Sequence, residues 1–246
     1  MMFYYKRMIN TIILDYGGVL AYPISGNWFI PFDLFKIVGF VNMLKLFVKR
    51  NKLNNAFNAG NVYLNENHKL FTEEEEYEQF IHFYKIVFKE LKINIDDHRI
   101  GKLAHSIVYN DYKIKFYDDV LDGITELKEK YKVIILSDTW PSAKRILDNN
   151  GILKLLDGLI MSCNYNEKKD SVKLFEIAID KCRLVPGECL FIDDSLCNLK
   201  NAEAVGFKPV LMDRRNDTEE CEYPVISGLD GIKQIMEETE TNEVSS

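Results

Sequence analysis

IILDYGGVL, residues 12–20, is the stretch on which the reading of the fold turns. Apolar residues run without interruption into Asp15, and Tyr16, Gly17 and Gly18 follow. An unbroken apolar run of this kind is expected of a parallel strand covered on both faces. Open α/β sheets bind ligands just outside the carboxyl ends of such strands. Asp15 is therefore expected at a ligand-binding edge. Gly17 and Gly18 let the backbone turn tightly and present its N–H and C=O groups at close range.

Four later runs repeat the pattern, at 132–137 (KVIILS), 157–161, 189–193 (CLFID) and 208–212. Helix-length segments fill the spaces, at 118–131, 141–150, 171–183 and 195–205. Pro141 sits near the first turn of one and Gly151 just past its end, while Ser195 and Gly206 bracket another as N-cap and C-terminal stop. This strand–helix alternation predicts an α/β fold, a Rossmann-like doubly wound parallel sheet.

Residues 22–113 break the alternation, and a crossover needs only about a dozen residues. The surplus reads as an inserted all-helical cap domain. Thr72 and Glu75 form a capping box for a helix running to about residue 91. The run Glu73–Glu76 reads as a solvated helix start, and Trp28, Phe29, Phe32 and Phe35 as core residues. The expected organisation is a core of 1–21 and 114–236, a cap of 22–113, and a disordered tail at 237–246.

The totals exclude several classes. A net charge of −7 and a pI near 5.3 argue against non-specific nucleic-acid binding and against docking on anionic membranes. The apolar stretch 28–48 is interrupted by Asp33, Lys36 and Lys45, so an amphipathic helix is expected there rather than a membrane span. MMFYYKRMIN, residues 1–10, lacks the apolar core of a signal peptide. Five cysteines, Cys163, Cys182, Cys189, Cys197 and Cys221, form no CxxC pair. They read as reduced thiols in a cytoplasmic protein. The sequence carries no readable sign of oligomeric state.

Other strand ends carry polar groups too. Ser137 ends VIILS, Asp193 and Asp194 end LFIDD, and Lys169 lies in the loop after the run at 157–161. Together with Asp15 they fit phosphoryl transfer, with Asp15 as nucleophile forming an aspartyl-phosphate. Mg²⁺ would be held by Asp15, a turn carbonyl and Asp194 or Asp193, a set of hard oxygen ligands. Lys169 would neutralise charge between Asp15 and the phosphoryl oxygens, and the Ser137 hydroxyl and turn amides would donate to those oxygens.

The segments LDYGGVL (14–20), ILSD (135–138), Lys169 and FIDDS (191–195) resemble, in order, the four motifs of the haloacid dehalogenase superfamily of hydrolases. Residues 162–207, SCNYNEKKDSVKLFEIAIDKCRLVPGECLFIDDSLCNLKNAEAVGF, look like the subfamily with a helical cap inserted after the first motif. The resemblance implies catalytic roles for Asp15, Ser137 and Lys169. It implies phosphate contacts from Gly17, Gly18, Ser137, Asp138 and Lys169, and metal binding by Asp15, Gly17, Asp193 and Asp194. It implies a Mg²⁺-dependent phosphatase acting on a small phosphorylated metabolite.

Three positions depart from the family pattern. The second Asp usual two places after the nucleophile is Gly17, the Asn usual after Ser137 is Asp138, and the Pro usual after Lys169 is Asp170. A missing general acid lowers rates by about 10²–10⁴. The alternatives are a 2-haloacid dehalogenase, which also lacks that acid, and a catalytically weak binding protein on the same fold. All four histidines, His68, His82, His98 and His105, fall in the insertion, where they read as surface or packing residues.

Overall fold

The computed structural model describes residues 8–218 and 221–236. It begins with β1 (Thr11–Leu14), buried at every position, then β2 (Ala21–Pro23) after the glycine turn. The α-helices α1 (Leu34–Val48), α2 (Leu53–Glu66), α3 (Glu73–Glu90) and α4 (Asp97–Tyr109) follow. Then come β3 (Ile114–Phe116), α5 (Val120–Lys128), β4 (Lys132–Ser137), α6 (Ser142–Asn149) and β5 (Gly158–Met161). The chain continues through α7 (Lys173–Cys182), β6 (Cys189–Asp193), α8 (Leu196–Ala204), β7 (Lys208–Met212) and β8 (Val225–Ile226).

Six strands form one parallel sheet in the order β5-β4-β1-β6-β7-β8. β1 lies between β4 and β6, so successive crossovers leave it in opposite directions, and the crevice of a doubly wound sheet opens at its carboxyl end. Leu14 is in register with both Ile135 and Ile192. That register carries Asp15, the end of β4 and the end of β6 to one edge. Ile13, Ile134, Leu136, Phe191 and Leu211 build one buried face with Leu174, Phe175 and Ala178 of α7 and Leu199 and Ala202 of α8. These apolar faces explain the unbroken runs in the sequence.

The chain divides into two compact units, 1–22 with 116–139 and 147–246, and 23–115 with 140–146. It passes between them at β2 and β3, which form a separate two-stranded sheet. Within the helical unit, Phe80, Phe83, Tyr84, Val87 and Phe88 of α3 pack with Ile100, Leu103, Ala104 and Ile107 of α4. The expected capping box is present. Glu75 N donates to Thr72 Oγ1 at 3.2 Å and Thr72 N donates to Glu75 Oε2 at 3.1 Å. No helix among the described residues is long and apolar enough to cross a membrane.

Several expectations need correction. Trp140–Ile146 groups with the helices, whereas its position in the sequence suggested the core. The reason is Glu76, which is buried rather than solvated. It accepts from Ser142 N at 2.7 Å and Ser142 Oγ at 2.8 Å. Trp140 Nε1 also donates to Gln79 Oε1 at 2.8 Å. Ser195 precedes α8 but its side chain makes no capping bond. Of the four aromatic residues expected in the core, Trp28, Phe32 and Phe35 are exposed, and only Phe29 packs inward. The helix expected over 28–48 covers only Leu34–Val48 and is kinked, with Gly39 at φ 77° inside α1. The tail expected at 237–246 lies outside the described residues.

Candidate active site

β1 delivers Asp15 to the crevice, buried at 7% exposure, and Asp15 N donates to Ile192 O at 2.9 Å. The turn after it closes on itself. Gly18 N donates to Ala21 O at 2.8 Å, and Leu20 N and Ala21 N both donate to Tyr16 O at 3.0 Å. Gly18 lies at φ 79°, and a β-carbon there would run into the Asp194 carboxylate. Gly17 is not at positive φ. Of the two glycines, only Gly18 is demanded by backbone conformation and close approach. Its amide, expected to face a phosphate, is already bonded to Ala21 O.

Lys169 sits almost wholly buried, with Nζ 2.6 Å from Asp15 Oδ1 and 2.6 Å from Asp193 Oδ2. Burial by itself would lower its pKa. The Asp15 and Asp193 carboxylates overcome that and raise it above the ordinary lysine range, so the ammonium stays protonated. The Phe191 ring lies 5.9 Å from Nζ.

Asp193 is fully buried and its oxygens are saturated. Oδ1 accepts from Ser195 N at 2.8 Å and Asn198 Nδ2 at 3.0 Å, and Oδ2 accepts from Lys169 and Asn198. Burial pushes its carboxyl up to about 7, with the Lys169 ammonium pulling the other way. Asp194 is exposed, and partial desolvation with the neighbouring Asp15 charge raises it. Carboxylate oxygens of Asp15, Asp193 and Asp194 lie within 4.8 Å of one another.

Ser137 is buried at the end of β4, one strand over from Asp15. Asp138 turns its carboxylate to the Lys169 main chain, accepting from Lys169 N at 3.1 Å. Desolvation raises its pKa, opposed by Lys169. The Lys169 amide thus holds the Asp138 carboxylate against the main chain. The structure brings Asp15, Lys169, Asp193 and Asp194 together directly, with Ser137, Asp138, Gly17 and Gly18 at the same sheet edge.

Four supporting residues escaped the sequence reading or were underrated by it. Asn198 and Asn201 stand three apart on α8. The first holds Asp193, and Asn201 Nδ2 donates to Lys169 O at 2.8 Å. Ser162 Oγ accepts from Thr139 N at 2.9 Å. Arg214 Nε and Nη2 donate to Val19 O at 3.0 and 2.7 Å, bracing the glycine turn, while Nη1 bonds both Asp119 oxygens. The i, i+3 spacing of the two asparagines was the available signal.

A sequence profile of the haloacid dehalogenase-like hydrolases matches residues 9–206. The chain belongs to this hydrolase family. It is 26% identical over 142 residues to D-ribitol-5-phosphate phosphatase of Bacteroides thetaiotaomicron, covering 50% of this chain and 69% of that protein. It is 24% identical over 232 residues to bifunctional epoxide hydrolase 2 of Sus scrofa, covering 90% of this chain but 39% of that protein. The haloacid dehalogenase-like fold is shared with L-2-haloacid dehalogenase from Xanthobacter autotrophicus at TM-score 0.64 and 17% identity, over 94% of this chain and 99% of that one.

Proposed function

We propose that the protein is a Mg²⁺-dependent phosphatase acting on a small phosphorylated metabolite, with Asp15 as nucleophile. The observation that carries this reading is the shared ammonium of Lys169, 2.6 Å from both Asp15 and Asp193, with Asp194 beside them. The similarity to a sugar-alcohol phosphate phosphatase supports the same reading.

The donor set fits the metal. Three carboxylates balanced by one ammonium leave an excess of negative charge, and hard oxygen donors suit Mg²⁺. Asp193 is saturated by Lys169, Ser195 and Asn198, so Asp194 is the better direct ligand of the pair, with Asp15 and the Gly17 carbonyl. When bound, the ion would draw charge from the phosphoryl oxygens.

Asp15 attacks phosphorus, the ester P–O bond breaks, and the leaving oxygen departs with the bond's electron pair. Lys169 and Ser137 hold the phosphoryl oxygens, and Asp138 fixes the Lys169 main chain. Water then hydrolyses the aspartyl-phosphate, releasing phosphate and restoring the carboxylate. Asp15→Asn should abolish Mg²⁺-dependent turnover in a screen of phosphate esters. Unchanged turnover in that variant sinks the assignment.

Gly17 shapes the substrate range. With no side chain there to protonate a leaving group, aryl and acyl phosphates should turn over about 10²–10⁴ times faster than alkyl phosphates. Gly17 is not at positive φ, so the backbone accepts a side chain. Gly17→Asp should narrow the gap by raising alkyl phosphate turnover. Equal rates on both classes in the unaltered protein would refute this part.

Gly17 also favours a second reading, 2-haloacid hydrolysis, which needs no acid at that position. Halide release from a 2-haloacid that persists in EDTA, without phosphatase activity in Mg²⁺, would establish it instead.

A further inference from the structure

We propose that α1 and the turn after it dock this protein on the surface of an anionic lipid bilayer. Phe35, Phe40, Val41, Leu44, Phe47 and Val48 are 51–74% exposed along α1, five of them on the stretch that follows the kink at Gly39. Monomeric proteins rarely leave that much contiguous apolar surface without a partner. The same helix buries Val38 and Asn42 on its other side, and Asn42 Nδ2 donates to Val38 O at 3.1 Å. Leu34, Met43 and Leu46 wall an apolar cavity of about 250 Å³ behind it, and Phe47 and Arg50 also line that cavity. Apolar surface therefore continues from the exposed side inward.

Charge selects the occupant. Lys36, Lys45, Lys49, Arg50 and Lys52 lie on α1 or the turn after it, and no acidic residue stands between Asp33 and Glu66. Asp33, just before α1, accepts from Ser106 Oγ at 2.6 Å and keeps its negative charge, so the excess on this segment is positive but not unopposed. Lys49 points inward to the carbonyls of Leu91 and Lys92, which do not neutralise its charge. Arg50 lies 4.8 Å over the Phe47 ring, an apolar face under a charged tip. Lys36, Lys45 and Arg50 are all exposed, with Lys45 Nζ 3.5 Å from Asn42 Oδ1, so a second copy docked through the same helix would bring like charges near one another. An anionic headgroup layer receives all of them, while the phenylalanines enter the acyl boundary.

The net charge of −7 counts against anionic membranes for the chain as a whole, but the segment after Asp33 carries no acidic residue before Glu66. At physiological ionic strength the screening length is about 8 Å, so the lipid surface responds to the charge on the docking face and little else. The stretch after the Gly39 kink, Phe40–Val48, spans about 14 Å at 1.5 Å per residue, too short to cross a bilayer and suited to lying in its interface.

The test is co-sedimentation with vesicles, using phosphatidylcholine alone and phosphatidylcholine mixed with phosphatidylglycerol. The expected result is binding to the mixed vesicles only, weakened by added salt. Lys36→Gln and Lys45→Gln should each reduce binding about fivefold. Phe40→Ser with Phe47→Ser should abolish it, while turnover of a soluble aryl phosphate and the far-UV circular dichroism stay unchanged. Equal binding to neutral vesicles, or none to either, overturns the proposal. So does a dimer in light scattering that the paired Phe→Ser variant dissolves, because a second copy then covers the face.

Discussion

Two lysines, Lys169 buried in one unit and Lys113 half-buried in the other, show how the surroundings decide what desolvation does to a charge. Lys169 touches two carboxylates directly, and its pKa rises despite desolvation. Lys113, in the helical unit, donates to the Ile107 carbonyl and, at 3.1 Å, to Ser142 Oγ. Burial lowers its pKa, because the Glu76 carboxylate acts on it from beyond Ser142 and cannot make up the loss. The first lysine is held as a permanent cation where negative charge gathers. The second joins a polar knot that ties Trp140–Ile146 to the helices.

The largest expected effect tests that difference in stability. Lys169→Met leaves Asp15 and Asp193 buried without a counter-charge, and should lower unfolding free energy by about 3–5 kcal/mol in urea titrations. It should also reduce turnover by at least about 10²–10³, the usual loss for one preorganised donor. Lys113→Met removes bonds to neutral oxygens and should lower stability by only about 1 kcal/mol. Equal losses for the two variants would break the comparison.

The site's frame could be read from the sequence because each strand is a short apolar run that ends on a polar residue. Asp15, Ser137 and Asp193 needed only the pattern of parallel strands to be brought to one edge. The bonding around them could not be read. Asp138 looks like a misplaced charge until the Lys169 amide is seen against it, and that contact spans 31 residues. Glu76 fails for the opposite reason. A run of four glutamates at a helix start predicts solvent, and only Ser142, 66 residues away, explains why the last of them is buried. β2, β3 and β8, at two or three residues each, are too short for any periodicity to show. The exposed phenylalanines of α1 show that aromatic character alone does not place a side chain inside.

The smallest effect sharpens the comparison by sign. Both lysines titrate near pH 10.5 when unfolded. Lys113 has a lower pKa when folded, so between that value and 10.5 the unfolded chain binds more protons and stability rises with pH. Lys169 has a higher pKa when folded. Its contribution is complete below 10.5 and is lost as pH climbs beyond, because there the folded chain holds the extra proton. The stability deficit of Lys113→Met against the unaltered protein should therefore grow as pH approaches about 10.5, and that of Lys169→Met should shrink above it. Urea midpoints across the alkaline range measure both trends. Deficits that move in the same direction would mean that the two ammonium groups sense the same surroundings, and that direct carboxylate contact is not what separates them.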